Sequence, residues 1–309
     1  MRKRPADEVV LAWSATQNRL LPAATASGRV DVADSWLVND GAVRGLEHHT
    51  GRFTESCRRQ HGVDPMVTSQ FLAAALAALP VHGRWFPRVE FEAGAGMRLR
   101  LRPAPEPGPG CVLATVGEPD RRSEPAVKGP DLAWLAGLRR GAAAGGADEV
   151  LLVSGSGTVL EGALSAVLWW RGEVLCAPPL SLPVLPSVTR RLLLEIASAT
   201  GTEIRFEACR VQDLDGTEIW TVSALHGIRP VTAWTDGLMT VAQTRHAPAW
   251  QGFLVAQARP LSVATANSLA AIRRLPGRCQ LLVYPASPLD TKGGTSPRAR
   301  RIPVSRASR

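Results

Sequence analysis

Lys128 is a residue whose type and position in this sequence could support catalysis. It lies near the end of the charged, Pro- and Gly-rich segment 117–130, just before a helical pattern that begins at Asp131. A lysine amine attacks carbonyl groups and moves protons once partial burial lowers its pKa. A lysine in such a segment is often only a solvated linker residue, so its interpretation depends on the motifs around it.

Two blocks of motifs follow Lys128 along the chain, and one motif precedes it. The blocks contain Leu160-Glu-Gly-Ala-Leu-Ser165, Leu185-Pro-Ser-Val-Thr-Arg190 and Ser223-Ala-Leu-His-Gly-Ile-Arg-Pro-Val231, and the upstream motif is Glu47-His-His-Thr-Gly-Arg-Phe53. In this order the motifs resemble the class-IV aminotransferase family (PLP fold type IV), which contains branched-chain aminotransferases, D-amino-acid aminotransferases and 4-amino-4-deoxychorismate lyases. The resemblance covers roughly residues 30–235 and implies an α/β (α+β) fold of two domains.

The resemblance implies pyridoxal 5'-phosphate (PLP) as the cofactor. Lys128 matches the lysine that forms a Schiff base with PLP, and its amine, once freed, is suited to move the proton at the substrate α-carbon. Glu161 matches the glutamate that keeps the pyridine nitrogen protonated, which the cofactor needs to accept electrons. No metal site is expected, because the adjacent His48 and His49 face different ways on a helix.

The phosphate group of such a cofactor needs backbone N–H donors at a helix start and a nearby cation. By the resemblance, Val188 and Thr189 form one phosphate loop. Ser223 and Ala224 form the second. Arg52 matches the arginine that reaches the phosphate, so these five residues are the predicted phosphate site.

Two segments depart from the pattern of the family. Val32-Ala-Asp-Ser-Trp-Leu37 stands where the family usually has Y-G-x-[GS]-V-F-E, and Ser187 stands where glycine is usual. The first of these strands shapes the substrate pocket in the family, so the resemblance does not identify the substrate. The side chains predicted to contact substrate are Asp34, Ser35, Trp36, His226 and Arg229.

The elements that must position these residues follow from the apolar pattern. Helices are predicted at 46–61, 66–79, 131–144, 188–199, 247–258 and 264–273. Strands are predicted at 30–38, 84–92, 97–102, 111–116, 149–153, 218–222 and 228–234, with a hairpin around Arg171-Gly172 and a turn at Asp40-Gly41. The predicted domains are a small N-terminal α/β domain, 1–120, a larger PLP-binding domain, 121–284, and a basic, disordered tail, 285–309.

Composition argues against several classes of function. The net charge is +9, but the tail holds six Lys or Arg against a single Asp, so we expect no nucleic-acid partner. No run of 18 apolar residues and no apolar segment behind the charged N-terminus is found, so we expect a cytoplasmic protein without a membrane partner. The five cysteines are widely spaced, which is typical of buried small residues rather than of disulfides or zinc ligands.

Three functions remain open from the sequence. The first is PLP-dependent transamination between an amino acid and a keto acid, in which Lys128 removes the α-proton. The second is a 4-amino-4-deoxychorismate lyase, which would use the same proton abstraction and release pyruvate and 4-aminobenzoate. The third is a non-catalytic binding protein that retains the fold. The resemblance also implies a small-molecule substrate, an amino acid or an amino-chorismate, and a homodimer.

Overall fold

The computed structural model describes residues 8–23, 30–115, 117–235 and 239–261. Its helices are α1 (Leu46–His61), α2 (Pro65–Ala77), α3 (Leu132–Ala143), α4 (Val188–Thr200) and α5 (Ala247–Val255). Its strands are β1 (Val9–Ser14), β2 (Arg19–Pro22), β3 (Val32–Ser35), β4 (Val38–Asn39), β5 (Ala42–Arg44), β6 (Arg84–Trp85), β7 (Arg88–Glu92), β8 (Gly96–Leu101), β9 (Cys111–Thr115), β10 (Glu149–Val153), β11 (Val159–Gly162), β12 (Ala166–Arg171), β13 (Val174–Ala177), β14 (Ile204–Phe206), β15 (Glu218–Ser223), β16 (Gly227–Trp234) and β17 (Ala258–Pro260). The predicted helix at 264–273 and the basic tail at 285–309 lie outside the described residues.

The N-terminal part of the chain forms an antiparallel sheet with the strand order β2-β1-β8-β7-β3. Helices α1 and α2 complete its core, in which Trp36, Phe53, Phe71 and Leu99 are fully buried. The hairpin of β1 and β2 is absent from the sequence predictions. It closes where Asn18 has a φ of 49°, a conformation that Asn tolerates better than most side chains.

Helix α1 carries two side chains of the site, and its local sequence explains its bounds. It begins after Gly45 and ends at Gly62, whose φ of 65° lets its N–H reach the last carbonyls of the helix. The buried residues recur at helical spacing: Leu46, His49, Thr50, Phe53 and Cys57. One face of α1 therefore packs inward, and the predicted helix at 46–61 is confirmed.

The predicted strand at 30–38 is wrong as a single element, because it is two strands in different sheets. β3 pairs with β7, whereas β4 pairs with β5 and β6 in a small sheet with the order β17-β5-β4-β6. The chain changes sheets at Trp36, where burial of the indole in the N-terminal core outweighs continuation of the strand. Asp40 and Gly41 have φ angles of 46° and 71° and form the predicted turn between β4 and β5.

Residues from Cys111 onward form a mixed sheet with the order β11-β10-β9-β16-β15-β12-β13-β14. β12 and β13 form the predicted hairpin, and α4 and α5 cover the sheet with a core that includes Leu193, Trp220 and Trp250. β9 lies within this sheet, parallel to both β10 and β16. The division of the chain at 120/121 stays a prediction, and the pairing of β9 favours a boundary before Cys111.

Other sequence expectations concern membrane and metal chemistry. Within the described ranges, every helix is too short or too polar to cross a membrane. The same residues contain no cluster of three or more His, Cys, Asp or Glu that could hold a metal ion. Cys57, Cys111, Cys176 and Cys209 are buried free thiols, as expected, and Cys279 lies outside the described residues.

Candidate active site

A cavity of about 440 Å³ collects most of the residues that the sequence predicted for the site. The predicted residues that line it are Arg52, Lys128, Glu161, Val188, Thr189, Ser223, Ala224, Ser35, His226 and Arg229. Asp34 and Trp36 are not among its lining residues. The structure therefore brings together side chains from α1, from the loop before α3, and from the strands and helix of the large sheet.

Lys128 is held in place through its backbone, and its amine has no hydrogen-bond or ion-pair partner in the part of the chain that the structure describes. The N–H of Ala33 on β3 donates to the carbonyl oxygen of Lys128 over 2.6 Å. Gly129 follows, and a Cβ at that position would lie 2.4 Å from the Asp31 carbonyl oxygen, so a side chain could not fit there. Among the described residues, no hydrogen bond or ion pair reaches the Lys128 amine. Burial lowers the pKa of Lys128 to about 8, which leaves about a tenth of the amine unprotonated at pH 7, far more than for an ordinary lysine.

A second anchor of the same loop is Asp131, at the start of α3. Its carboxylate accepts hydrogen bonds from the backbone N–H groups of Ser123 and Glu124, each at 3.1 Å. The loop that carries Lys128 is therefore fixed at β3 and at α3, which limits where the amine can be.

Glu161 lies at another wall of the cavity and is paired with an arginine that the sequence reasoning missed. Arg122 donates to Glu161, to Asp120 at 2.8 Å and to the Pro183 carbonyl oxygen at 2.9 Å. The N–H of Leu185 donates to Glu161 at 2.8 Å. Burial raises the pKa of the Glu161 carboxyl to about 7, against the opposing effect of Arg122.

The N-terminus of α4 presents free donors to the cavity. Ser187 is the N-cap residue, and its Oγ accepts from the N–H of Arg190 at 3.3 Å. The N–H groups of Val188 and Thr189 have no acceptor among the described residues, and both residues line the cavity. The φ of Ser187 is −67°, which any residue adopts, so the turn tolerates a side chain where glycine is usual.

Arg52 lies beside this helix start and is bound to Asp34, which is fully buried. The guanidinium donates from Nε to Asp34 Oδ2 over 2.8 Å and from Nη2 to Oδ1 over 3.0 Å. Arg52 Nη1 donates to the carbonyl oxygen of Pro186 over 2.8 Å. His49 Nδ1 lies 2.7 Å from Asp34 Oδ1. Both oxygens of the Asp34 carboxylate therefore accept hydrogen bonds from protein donors. Asp34 does not line the cavity, so the structure does not support its predicted contact with substrate.

Trp36 also lies away from the cavity. Its side chain is fully buried in the N-terminal core, with its ring centroid 6.0 Å from that of His49. Ser35, between Asp34 and Trp36, lines the cavity, and its N–H donates to Asp34 over 2.7 Å. Strand alternation explains why the three neighbours do not share one side.

The loop between β15 and β16 forms another part of the wall. Arg44 donates from Nη2 to the Ala224 carbonyl oxygen over 3.0 Å, and Ser223 Oγ accepts from the N–H of His226 over 3.3 Å. His226 Nδ1 is buried and has no hydrogen-bond partner among the residues that the structure describes, and burial lowers the pKa of the imidazole to about 4. Arg229 Nε donates a hydrogen bond to the Gly110 carbonyl oxygen at 2.8 Å, so part of its guanidinium is already used within the protein.

Several charged residues of the cavity were not predicted. Arg88, Arg102, Arg139 and Glu149 all line it. Arg102 donates to the Phe86 carbonyl oxygen at 2.9 Å and, in the described part of the chain, has no carboxylate partner. Burial and the nearby Arg88 lower the pKa of Arg102 to about 10. The signal in the sequence is the alternation of arginines in MRLRLR, but it does not reveal that Arg102 follows the strand and faces the cavity.

These groups fit a cofactor that carries an aldehyde and a phosphate. An unpartnered lysine amine of lowered pKa suits a carbonyl carbon, and the free N–H groups of Val188 and Thr189 beside Arg52 suit a phosphate. The carboxylate of Glu161 suits a protonated ring nitrogen. The cavity thus contains a partner for each polar end of PLP.

Comparisons with known proteins agree with this chemistry. The family model for class IV amino-transferases matches residues 31–234. The chain is 38% identical over 94 residues to a bifunctional aminodeoxychorismate lyase / D-amino acid transaminase from Mycobacterium tuberculosis, which is 28% of this chain and 32% of the relative. It is 31% identical over 85 residues to an aminodeoxychorismate lyase from Bacillus subtilis, 27% of this chain and 29% of the relative. Each match spans about a third or less of the relative's length.

The fold is also similar to solved structures. One is a hypothetical aminotransferase from Mycobacterium tuberculosis in its PLP-bound form, with a TM-score of 0.62 and 24% sequence identity. The likeness covers 81% of this chain and 98% of that chain. At this level of identity the likeness establishes the fold and leaves the substrate open.

Proposed function

Because the chain belongs to the class IV amino-transferase family, we propose that it is a PLP-dependent enzyme that transfers an amino group from an amino acid to a keto acid. The observation that carries the proposal concerns the described residues, in which the Lys128 amine and the N–H groups that begin α4 have no partner and line the same cavity. A nucleophilic amine and a phosphate site in one cavity are the two requirements for holding this cofactor.

Lys128 has two roles in the proposed reaction. PLP, when bound, supplies an electron sink for the electron pair that remains on the substrate α-carbon after proton removal. The Lys128 amine binds the cofactor and, once displaced by the amino group of the substrate, takes the proton from the α-carbon. Its pKa of about 8 suits this role, because the amine is then both a competent base and partly unprotonated near neutral pH.

Glu161 holds a proton at the ring nitrogen of the cofactor, and Arg122 holds Glu161. A carboxylate beside the nitrogen stabilises the protonated ring, which strengthens the electron sink. Arg122 and the N–H of Leu185 keep the carboxylate in one orientation and favour its charged form. Arg52, Val188 and Thr189, with Ser223 and Ala224 of the second loop, bind the phosphate.

The charge of the cavity favours an anionic substrate. Arg102, which has no carboxylate partner in the described residues, and the neighbouring Arg88 lie close enough to Lys128 to lower its pKa. A carboxylate of the substrate would offset this repulsion and orient the α-carbon toward the Lys128 amine. His226, neutral because its pKa is lowered, and Arg229 complete this side of the cavity.

The second candidate function is 4-amino-4-deoxychorismate lyase. It is favoured by both curated relatives, one of which is a lyase and the other a bifunctional lyase and transaminase. The two reactions share proton removal by Lys128, so the cavity serves either. Release of pyruvate from 4-amino-4-deoxychorismate without any keto acid supports the lyase. Amino transfer that requires a keto acid supports the transaminase.

The first experiment is the visible absorption spectrum of the purified protein with PLP, before and after borohydride reduction. The chain contains two other lysines, Lys3 and Lys292, which serve as controls when replaced by alanine. We expect a lysine-bound cofactor band that Lys128→Ala abolishes and that Lys3→Ala and Lys292→Ala retain. Mass spectrometry of the reduced protein should locate the pyridoxyl group on the peptide that contains Lys128. Absence of the band in the unmodified protein would favour a non-catalytic binding protein.

The homodimer is implied by the resemblance and the cytoplasmic location was expected from the composition, and both stay predictions. Sedimentation equilibrium of the full chain measures the first. The expected mass is twice that of one chain, and a single-chain mass contradicts it.

A further inference from the structure

Asp34 is a charged residue at the junction of β3, helix α1 and the loop that carries Lys128. It is fully buried on β3, and the preceding residue, Ala33, binds the Lys128 backbone. Its carboxylate bonds Arg52 and His49 of α1, which lie three residues apart on the inward face of the helix. A buried carboxylate with this many donors is rigid, because any displacement leaves a charged group unsatisfied.

The donors of Arg52 can be followed one by one. A guanidinium has five N–H groups. Within the described residues, three are used: Nε and one N–H of Nη2 on Asp34, and one N–H of Nη1 on the Pro186 carbonyl oxygen. Two remain, one on each terminal nitrogen. They are available to a ligand, because Arg52 lines the cavity.

Pro186 directly precedes the N-cap residue of α4, so Arg52 is fixed at both ends of its fork. On one side Asp34 holds Nε and Nη2, and on the other the Pro186 carbonyl holds Nη1 beside the free N–H groups of Val188 and Thr189. The planar fork cannot rotate without breaking one of these bonds. Its two remaining donors therefore stay next to the helix start.

We propose that Asp34 is a positioning residue that fixes the Arg52 fork for the phosphate of PLP, and that it does not contact the substrate. This inference rests on the proposed function, since it assumes that PLP is the ligand of the cavity. Asp34 would act on affinity for the phosphate group and leave recognition of the pyridine ring to Lys128 and Glu161.

The test compares PLP with pyridoxal, which has the same ring and aldehyde but no phosphate. Both bind through Lys128, so the ratio of their dissociation constants isolates the contribution of the phosphate. Asp34→Asn removes the charge while it keeps the size of the side chain. We expect this variant to weaken PLP binding on the order of 10- to 100-fold and pyridoxal binding within about twofold. Equal weakening of the two ligands would mean a purely structural role and overturn the inference.

A double-mutant cycle strengthens the test. Arg52→Lys keeps the positive charge, but a single ammonium cannot satisfy Asp34 and Pro186 with the geometry of the fork. We expect it to lose discrimination between PLP and pyridoxal to a similar extent, and the double variant with Asp34→Asn to lose little more. Independent, additive losses would contradict the proposed coupling. If Asp34→Asn does not fold, Arg52→Lys is tested alone. A ratio of the PLP and pyridoxal dissociation constants equal to that of the unmodified protein then overturns the inference.

Glu218→Gln is the matched control. Glu218 is also a buried carboxylate, which accepts bonds from the backbone N–H groups of Arg245, His246 and Ala247, and it does not line the cavity. It should lower thermal stability and leave the PLP-to-pyridoxal ratio unchanged. If the unmodified protein binds no PLP, the proposed function fails and the inference fails with it. If the unmodified protein binds PLP and Asp34→Asn leaves the PLP-to-pyridoxal ratio of dissociation constants unchanged, the inference fails and the proposed function stands.

Discussion

Arg122 and Glu161 form a buried ion pair between two segments that are 39 residues apart in the chain. Their side chains are 4% and 5% exposed, so neither charge has water to replace its partner. The loop before α3 and strand β11 are thereby linked at the wall of the cavity, and the pair fixes the orientation of the carboxylate and favours its charged form against the effect of burial.

Removal of Arg122 should therefore be costly. We expect Arg122→Met to lower the free energy of unfolding by about 3–5 kcal/mol at pH 8, because Asp120 and Glu161 lose their buried partner. The loss should be smaller at pH 5, since the raised pKa of Glu161 means that a protonated, neutral carboxyl predominates there. Urea unfolding at both pH values measures it.

The control for this prediction is the neighbouring arginine. Arg121 is 66% exposed and pairs with the exposed Glu118. Arg121→Met should change stability by less than about 0.5 kcal/mol at either pH. An equal effect of the two substitutions would show that the Arg122 pair is not buried in solution.

The addition of PLP to the apo-protein should depend on pH through Lys128. Only the unprotonated amine attacks an aldehyde, and burial lowers the pKa of this amine to about 8. We expect the rate constant for the appearance of the cofactor band to rise with pH up to about 8 and then to level off. Nα-acetyl-lysine amide, which has just the side-chain amine, provides the comparison, since its rate should continue to rise toward pH 10. A rate that still rises tenfold per pH unit above pH 9 contradicts the lowered pKa.

Burial of the Lys128 amine should lower the stability of the apo-protein at neutral pH. Its pKa is lower in the folded chain than in the unfolded chain, so the unfolded state binds more protons between about pH 8 and the ordinary lysine value. The contribution of Lys128 to stability therefore improves as pH rises through this window and is least favourable below it. Lys128→Met should match or exceed the unmodified apo-protein in thermal stability at pH 7, with a smaller difference at pH 10. Calorimetry without PLP measures this, and marked destabilisation at pH 7 would reveal a partner for the amine.

Gly129 should be intolerant of a side chain. A Cβ there would lie 2.4 Å from the Asp31 carbonyl oxygen and 2.8 Å from Val32 Cα, both backbone atoms. Gly129→Ala should push the loop away from β3 and weaken the hydrogen bond between Ala33 and Lys128. PLP affinity should then fall at least tenfold. This corresponds to about 1.4 kcal/mol, the loss expected for one backbone hydrogen bond and its packing. Titration with PLP measures the affinity.

Gly141 provides the matched position. It lies in α3, and nothing is within 4 Å of a Cβ built there. Gly141→Ala should stabilise the protein by up to about 1 kcal/mol, because alanine is the better helix former, and PLP affinity should not change. Wild-type affinity in Gly129→Ala would show that the loop adapts without moving the lysine.

The sequence predicted those parts of the fold that depend on neighbouring residues. The bounds of α1 follow from its apolar spacing and from the glycine at its end, and the hairpin at 171–172 follows from its turn. The division of 30–38 into two strands could not be predicted, because it depends on which sheet buries Trp36. Long-range burial, rather than local preference, decided that segment.

The candidate site shows the same limit. Lys128, Glu161 and Arg52 were found through motifs, and all of them line one cavity. Arg122 was missed because its partner Glu161 is distant in the sequence. A further signal was present but unused: of the 36 Lys and Arg in this chain, just three are lysines, so a lysine in the middle of the chain is exceptional.

The position of β9 has a consequence for how the chain can be divided. Cys111–Thr115 joins β10 on one side and β16 on the other, so this short strand bridges segments more than 70 residues apart. A fragment that starts at residue 121 would expose two long unpaired edges inside its own sheet, and such edges recruit other chains. We therefore expect that a fragment cut at the 120/121 linker does not fold as an independent domain. During synthesis β9 emerges before β16, so the pairing of these two strands, which closes the sheet, is a late step between residues distant in the sequence.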